Sequence, residues 1–136
     1  IQALNNEGEK IHADFSHYID ETNFSKDSYF LLATYQHKHD STILNKIFKQ
    51  NLQTSYIGIV ASRQTRDELI ESLKSEIGEN PDLSNVYIPV GLDIGGTDNP
   101  YEIALSIAAE IQAIRYGKTA NHLRDKIKTE QPVNNL

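Results

Sequence analysis

Residues 90–117, VGLDIGGTDNPYEIALSIAAEIQAIRYG, change character twice within a short distance. An apolar run closes at Gly91, and Gly91, Gly95 and Gly96 then surround a Leu-Asp-Ile before a long helical pattern begins. Three signals mark that helix start: Asn99 as N-cap, Pro100 at the first helical position and Glu102 at the third. Ile103, Ile107, Ile111 and Ile114 recur on one face with Ala104 and Ala108 beside them, and Gly117 ends the run. Glycines permit positive φ and close backbone approach. The loop therefore reads either as an anion cradle or as a tight turn feeding a well-capped helix, with Asp93 holding it through backbone N–H groups.

The same strand–loop–helix unit occurs twice upstream. YFLLA (29–33) has the composition of a short buried strand, TYQHKHD is a polar loop, and Ile43, Leu44, Ile47 and Phe48 fall at helical spacing with Asp40 or Ser41 as N-cap. SYIGIVA (55–61) is the second strand. The helix after it starts with a capping box of Thr65 and Glu68, buries Leu69, Ile70, Leu73 and Ile77, and stops at Gly78. NVYIPV (85–90) is the third strand. Repeated units of this kind pair their strands in parallel through right-handed crossovers, which predicts an α/β sheet. Before position 26 the pattern weakens: KIHADF (10–15) reads as another short strand and SHYIDE as a short helix. Residues 118–136 read as a polar tail with a helical turn or two, leaving 1–117 as the domain.

Composition narrows the function classes. The 136 residues suit one domain, 38% are hydrophobic, and no run approaches the roughly 18 apolar residues of a membrane span. No leader-like start is visible, so a cytoplasmic location is expected. A net charge of -6 argues against nucleic acid as the main partner, since such proteins carry a basic footprint. The absence of cysteine excludes disulfides and thiolate metal sites within this chain. The chain also lacks methionine and begins with Ile1, so it is expected to be a fragment or processed product.

In an open parallel sheet, ligands bind beyond the carboxyl ends of the strands. The loops there are TYQHKHD, SRQT and GLDIGGTDN, the most chemically loaded stretches of the chain. Thr34, His37, His39 and Asp40 could contact a ligand, shuttle protons or hold a metal, or Asp40 could simply cap the helix. Two histidines at i and i+2 lack the spacing that puts two ligands on one helical face, so no metal site is assigned. Ser62 reads as a cap, and Arg63 either meets an anion at a helix N-terminus or forms a surface ion pair. No Gly-x-Ser-x-Gly elbow surrounds Ser62, which argues against a hydrolase nucleophile.

In this order and spacing, TYQHKHD, YIGIVASRQTR and PVGLDIGGTDNPYEIALSIAAEI resemble the Rossmann-like domain of the XdhC/CoxI family, accessory proteins of xanthine dehydrogenase and related molybdenum hydroxylases. The resemblance covers residues 28–117. It carries over Thr34, His37 and Asp40; then Gly58, Ser62, Arg63 and Arg66; then Gly91, Leu92, Asp93, Ile94, Gly95, Pro100 and Glu102. Tyr35 and Ala61 stand where the family usually has His and Gly, and the family's opening strand with its Gly-x-Gly-His loop has no counterpart here. The chain is therefore expected to be the C-terminal half of that domain.

The resemblance implies binding of molybdenum cofactor (molybdopterin), its sulfuration by a cysteine desulfurase and its delivery to a molybdenum hydroxylase apoenzyme. The expected cofactor contacts are Thr34, His37, Asp40, Ser62, Arg63, Gly91, Asp93, Gly95 and Gly96, with no catalytic or metal-ligating residue assigned. Two rivals stand beside this reading: an NAD(P)-binding oxidoreductase, and a half-domain that only forms a homodimer.

Overall fold

The computed structural model describes residues 11 and 13–126. Three strands form one parallel sheet in the order β1 (Ser28–Leu32), β2 (Thr54–Ile59), β3 (Val86–Tyr87). Helices α1 (Phe15–Glu21), α2 (His37–Lys49), α3 (Arg63–Ile77) and α4 (Pro100–Arg115) surround it, and a 3-10 turn spans Leu123–Asp125. The sequence pattern predicted this parallel α/β arrangement, and the three strand–helix units fall where their apolar runs lie.

The two faces of the sheet differ in kind. On one, Leu32, Ile57, Ile59 and Ile88 join Ile43, Leu44 and Ile47 of α2, Leu69 and Leu73 of α3, and Ile19 of α1 in a single apolar core. Fully burying such a side chain contributes about 1.5–3 kcal/mol, so this layer carries most of the drive to fold. The opposite face presents tyrosines. Tyr29, Tyr56 and Tyr87 stack across the three strands with ring centroids 6.1 and 5.0 Å apart. Gly58 lies in that row because a Cβ there would come within 2.3 Å of the Tyr56 hydroxyl. Helix α4 packs on this face through the central strand.

Several boundaries differ from the expected ones. Residues 85–90 shrink to a two-residue strand, because Pro89 has no N–H to donate to the ladder, although Val90 N still bonds the Ile59 carbonyl at 3.2 Å. The described part of KIHADF forms no strand; Asp14 instead caps α1 by accepting from the backbone of Ser16 and His17. Helix α2 begins before Asp40 and Ser41, after Gln36, which offers no side-chain cap. The Thr65–Glu68 capping box is replaced by Ser62, whose Oγ accepts from Thr65 N at 3.1 Å. Ile77 is partly exposed rather than part of the buried stripe, and on α4 Ala104 and Ala108 face outward. Gly78 and Gly117 end their helices as expected, both at positive φ. At Gly117 the bonds Lys118 N to Ala113 O and Gly117 N to Ile114 O complete a Schellman stop.

Candidate functional site

Because the sheet is parallel, the loops after β1, β2 and β3 all leave from its carboxyl edge. Two backbone bonds hold their bases together: Val60 N to Leu32 O at 3.0 Å and Val90 N to Ile59 O at 3.2 Å.

The first loop carries a compact polar network. Asp40 is fully buried near the start of α2. Its Oδ1 lies 2.7 Å from the Thr34 hydroxyl, whose single hydrogen is shared between it and the Gln36 carbonyl at 2.8 Å, and its Oδ2 lies 3.2 Å from His37 Nδ1. Asp40 therefore does not cap the helix; its partners are side chains, one on each oxygen. His37 itself is half exposed. His39 does not join it but packs edge-on against Phe15, 5.6 Å between centroids. An apolar cavity of about 1060 Å³ opens beside this loop, lined by Thr34 and His39 together with Phe15, Tyr29 and Leu31. Among the described residues, no group of three or more His, Asp or Glu is placed to hold a metal ion.

In the second loop, Ser62 is occupied as the cap of α3. Arg63 follows it at the first helical position, exposed and without an ion pair among the described residues, whereas Arg66 contacts its neighbour Asp67 at 3.3 Å.

The third loop divides at Leu92. Its first part is fastened to α4: Glu110 Oε1 accepts from Gly91 N at 3.1 Å, Ser106 Oγ donates to the Leu92 carbonyl at 2.7 Å, and Leu92 N bonds the Ser106 carbonyl. Gly91 has φ +104, and a Cβ there would lie 2.5 Å from Ser106 Oγ, so glycine is required for both backbone and contact reasons. The second part, Asp93 to Gly96, is exposed. Asp93 makes no hydrogen bond or ion pair among the described residues, so it does not hold the loop. Gly95 and Gly96 have φ +85 and +77, and open space lies where a Gly95 side chain would be.

The structure thus brings Thr34, His37 and Asp40 into one bonded network. It places Arg63, Asp93, Gly95 and Gly96 at the same edge with polar groups unbonded among the described residues, and it turns Gly91 inward. Three residues that organise the site lie within the quoted motif stretches but are not among the expected site residues: Tyr56, Ser106 and Glu110. Tyr56 is fully buried and donates its hydroxyl to Glu110 Oε1 at 2.9 Å. Burial first, then the bond to the Glu110 carboxylate, pushes the phenol far above its ordinary range. A signal for Glu110 exists: it sits on the isoleucine stripe of α4, three residues after Ile107 and four before Ile114.

A parallel sheet with helices on both faces and polar loops at its carboxyl edge defines a Rossmann-type α/β domain. Residues 4–111 match the family described as the XdhC Rossmann domain, and the chain belongs to that family. The resemblance drawn from the three motifs is borne out. The chain is 39% identical over 93 residues to a probable xanthine dehydrogenase subunit of Bacillus subtilis (strain 168), covering 68% of this chain and 25% of that protein. It is 27% identical over 106 residues to the uncharacterized protein YqeB of Escherichia coli (strain K12), covering 77% of this chain and 19% of that one. A crystal structure of a xanthine dehydrogenase from Bacillus halodurans superposes with a TM-score of 0.64 at 26% identity, over 80% of this chain and 30% of that chain. The chain therefore spans about a quarter or less of the length of the curated relatives it matches. Among the described residues no helix is long and apolar enough to cross a membrane.

Proposed function

We propose that this chain is the Rossmann part of a cytoplasmic accessory protein that binds molybdenum cofactor during maturation of a xanthine-dehydrogenase-type molybdenum hydroxylase. Its partners in this reading are the hydroxylase apoenzyme and a cysteine desulfurase that sulfurates the cofactor. The observation that carries the reading is the convergence of three polar loops at one sheet edge in a chain of the XdhC family.

The residues present suit an anionic pterin phosphate. Arg63 offers an exposed guanidinium without a competing ion pair among the described residues, at the start of a 15-residue helix, where charge and free N–H groups favour a phosphate. The N–H groups of Gly95 and Gly96 are unbonded within the described residues and exposed. The free carboxylate of Asp93 matches the paired N–H donors of a pterin edge. Gly91 contributes differently, by shaping the loop, since its N–H is held by Glu110. The bound cofactor supplies the metal and dithiolene that the client enzyme uses; this chain supplies binding and orientation.

Equilibrium binding of molybdenum cofactor to the intact protein tests the reading. Arg63→Ala and Asp93→Ala are each expected to weaken binding about tenfold or more, the loss of one charge-assisted contact. Unchanged affinity in both variants would remove the site assignment.

A further inference from the structure

The Asp40–His37 pair has more order than a ligand contact needs. A fully buried carboxylate is costly unless donors satisfy it, and among the described residues Asp40 has neither a helix amide nor a lysine or arginine as partner. Capping would have explained it, but Asp40 lies inside α2 and, among the described residues, bonds no backbone N–H. Its two oxygens are divided between Thr34 Oγ1 and His37 Nδ1. A carboxylate oxygen that accepts from Nδ1–H selects the tautomer with Nε2 as a bare lone pair, on a ring 53% exposed at the carboxyl edge of the sheet.

We propose that His37 is an acid–base residue of this crevice, exchanging a proton through Nε2 with an O–H or N–H acid of the bound ligand, and that Asp40 and Thr34 are its positioning residues. In the forward step the ligand's O–H or N–H bond breaks, its electron pair stays on the ligand, and the proton bonds to Nε2. Asp40 keeps its bond to Nδ1–H and stabilises the imidazolium; the reverse step returns the proton. Thr34, its hydroxyl placed between the Gln36 carbonyl and the second carboxylate oxygen, keeps Asp40 turned toward the ring. The titratable neighbours on the same helix turn are Lys38 and His39, and His39 is engaged with Phe15 of α1. Arg63 and Arg66 are the cations at the start of the adjacent α3.

The acid–base pair does not depend on which ligand the crevice takes; the identity of the ligand rests on the reading above. Diethyl pyrocarbonate, which acylates a neutral imidazole at a free ring nitrogen, probes it in the intact protein at mildly alkaline pH. His37 is expected to react several-fold faster than His17 and His122. Asp40→Asn is expected to slow His37 several-fold without changing the other two, and bound molybdenum cofactor to protect His37 selectively. Nitrogen NMR of histidine-labelled wild-type protein reads the tautomer directly, independent of whether the variant folds, and should show Nε2 bare and Nδ1 protonated. A protonated Nε2 in the neutral ring, or reaction at the rate of His17, overturns the proposal. So does a His37 left unprotected while cofactor is demonstrably bound. A fast, Asp40-dependent His37 in a protein that binds no molybdenum cofactor supports the pair and overturns the ligand assignment instead.

Discussion

The Tyr56 hydroxyl donates to Glu110 Oε1 at 2.9 Å, joining the central strand to α4, and the same oxygen accepts Gly91 N–H at 3.1 Å from the loop after β3. One carboxylate oxygen thus ties together strand, helix and candidate binding loop. Tyr56→Phe leaves the oxygen with the single amide partner in a buried place, which should cost about 1–3 kcal/mol in urea denaturation. The pH dependence has a definite sign. Burial and Glu110 raise the native phenol above its unfolded value of about 10, so above that pH the native state holds the proton more tightly than the unfolded one. Stability conferred through Tyr56 is complete below about pH 10 and falls as pH rises beyond it. Tyr56→Phe should remove that alkaline slope.

The glycines of the third loop should separate by how each is held. At Gly91 an added methyl meets Ser106 Oγ at 2.5 Å on top of a φ of +104, whereas at Gly95 the φ is +85 but nothing lies in the way. Gly95→Ala should therefore cost only the backbone term, about 1 kcal/mol. Gly91→Ala should cost clearly more, and Ser106→Gly should recover part of that extra loss. Denaturation midpoints of the three proteins check the order, and equal costs would mean that α4 does not pack against the loop as described.

How far the sequence can be read depends on whether the signal is local. The strand–helix alternation is carried by local apolar periodicity, so the three units and the parallel sheet are legible from runs such as YFLLA and SYIGIVA. Asn99 with Pro100 is equally plain, because a cap acts within one turn. The errors lie where a residue's job is set by a distant partner. Asp40 has the look of a cap, but Thr34 and His37 claim it. Gly91 has the look of a ligand-approach glycine, yet a helix fills the space beside it. Glu110 carries a local anomaly, a charge on an apolar stripe, but its partners Tyr56 and Gly91 lie 54 and 19 residues away in sequence.

The choice between two helix starts gives a direct comparison at α3. Ser62 Oγ accepts from Thr65 N at 3.1 Å, while Glu68 is exposed and makes no bond back to the start of the helix. Ser62→Ala should lower stability by about 1 kcal/mol, and Glu68→Ala should be close to neutral. A larger loss at Glu68 would restore the capping box. Since Ser62 also adjoins Arg63, cap loss should loosen the first turn of α3, visible as faster amide exchange at Thr65.

Helix α1 is docked by a polar clasp that should open in acid. Asp20 accepts from Lys46 Nζ and Gln50 Nε2, each at 2.6 Å, which fastens α1 to α2. The hydrogen bond from Lys46, then its charge, lowers the Asp20 carboxyl below its ordinary 3.8 against an opposing desolvation. A depressed native value means that the unfolded state binds the proton more readily, so the contribution is present above about pH 4 and is lost as pH falls through the native value. The pair is solvent-exposed and therefore screened by salt. In amide exchange of α1, protection should fall between about pH 4 and the lowered native value, and fall less steeply in Asp20→Asn, which has no proton to gain. High salt at neutral pH should mimic part of the loss. Because Phe15 of the same helix packs on His39 beside the Thr34 loop, opening this clasp with high salt at neutral pH should also increase the reaction of His39 with diethyl pyrocarbonate. If His39 reactivity stays constant while α1 protection falls, the apolar contact with Phe15 outlasts the polar clasp and α1 is held mainly by its aromatic side.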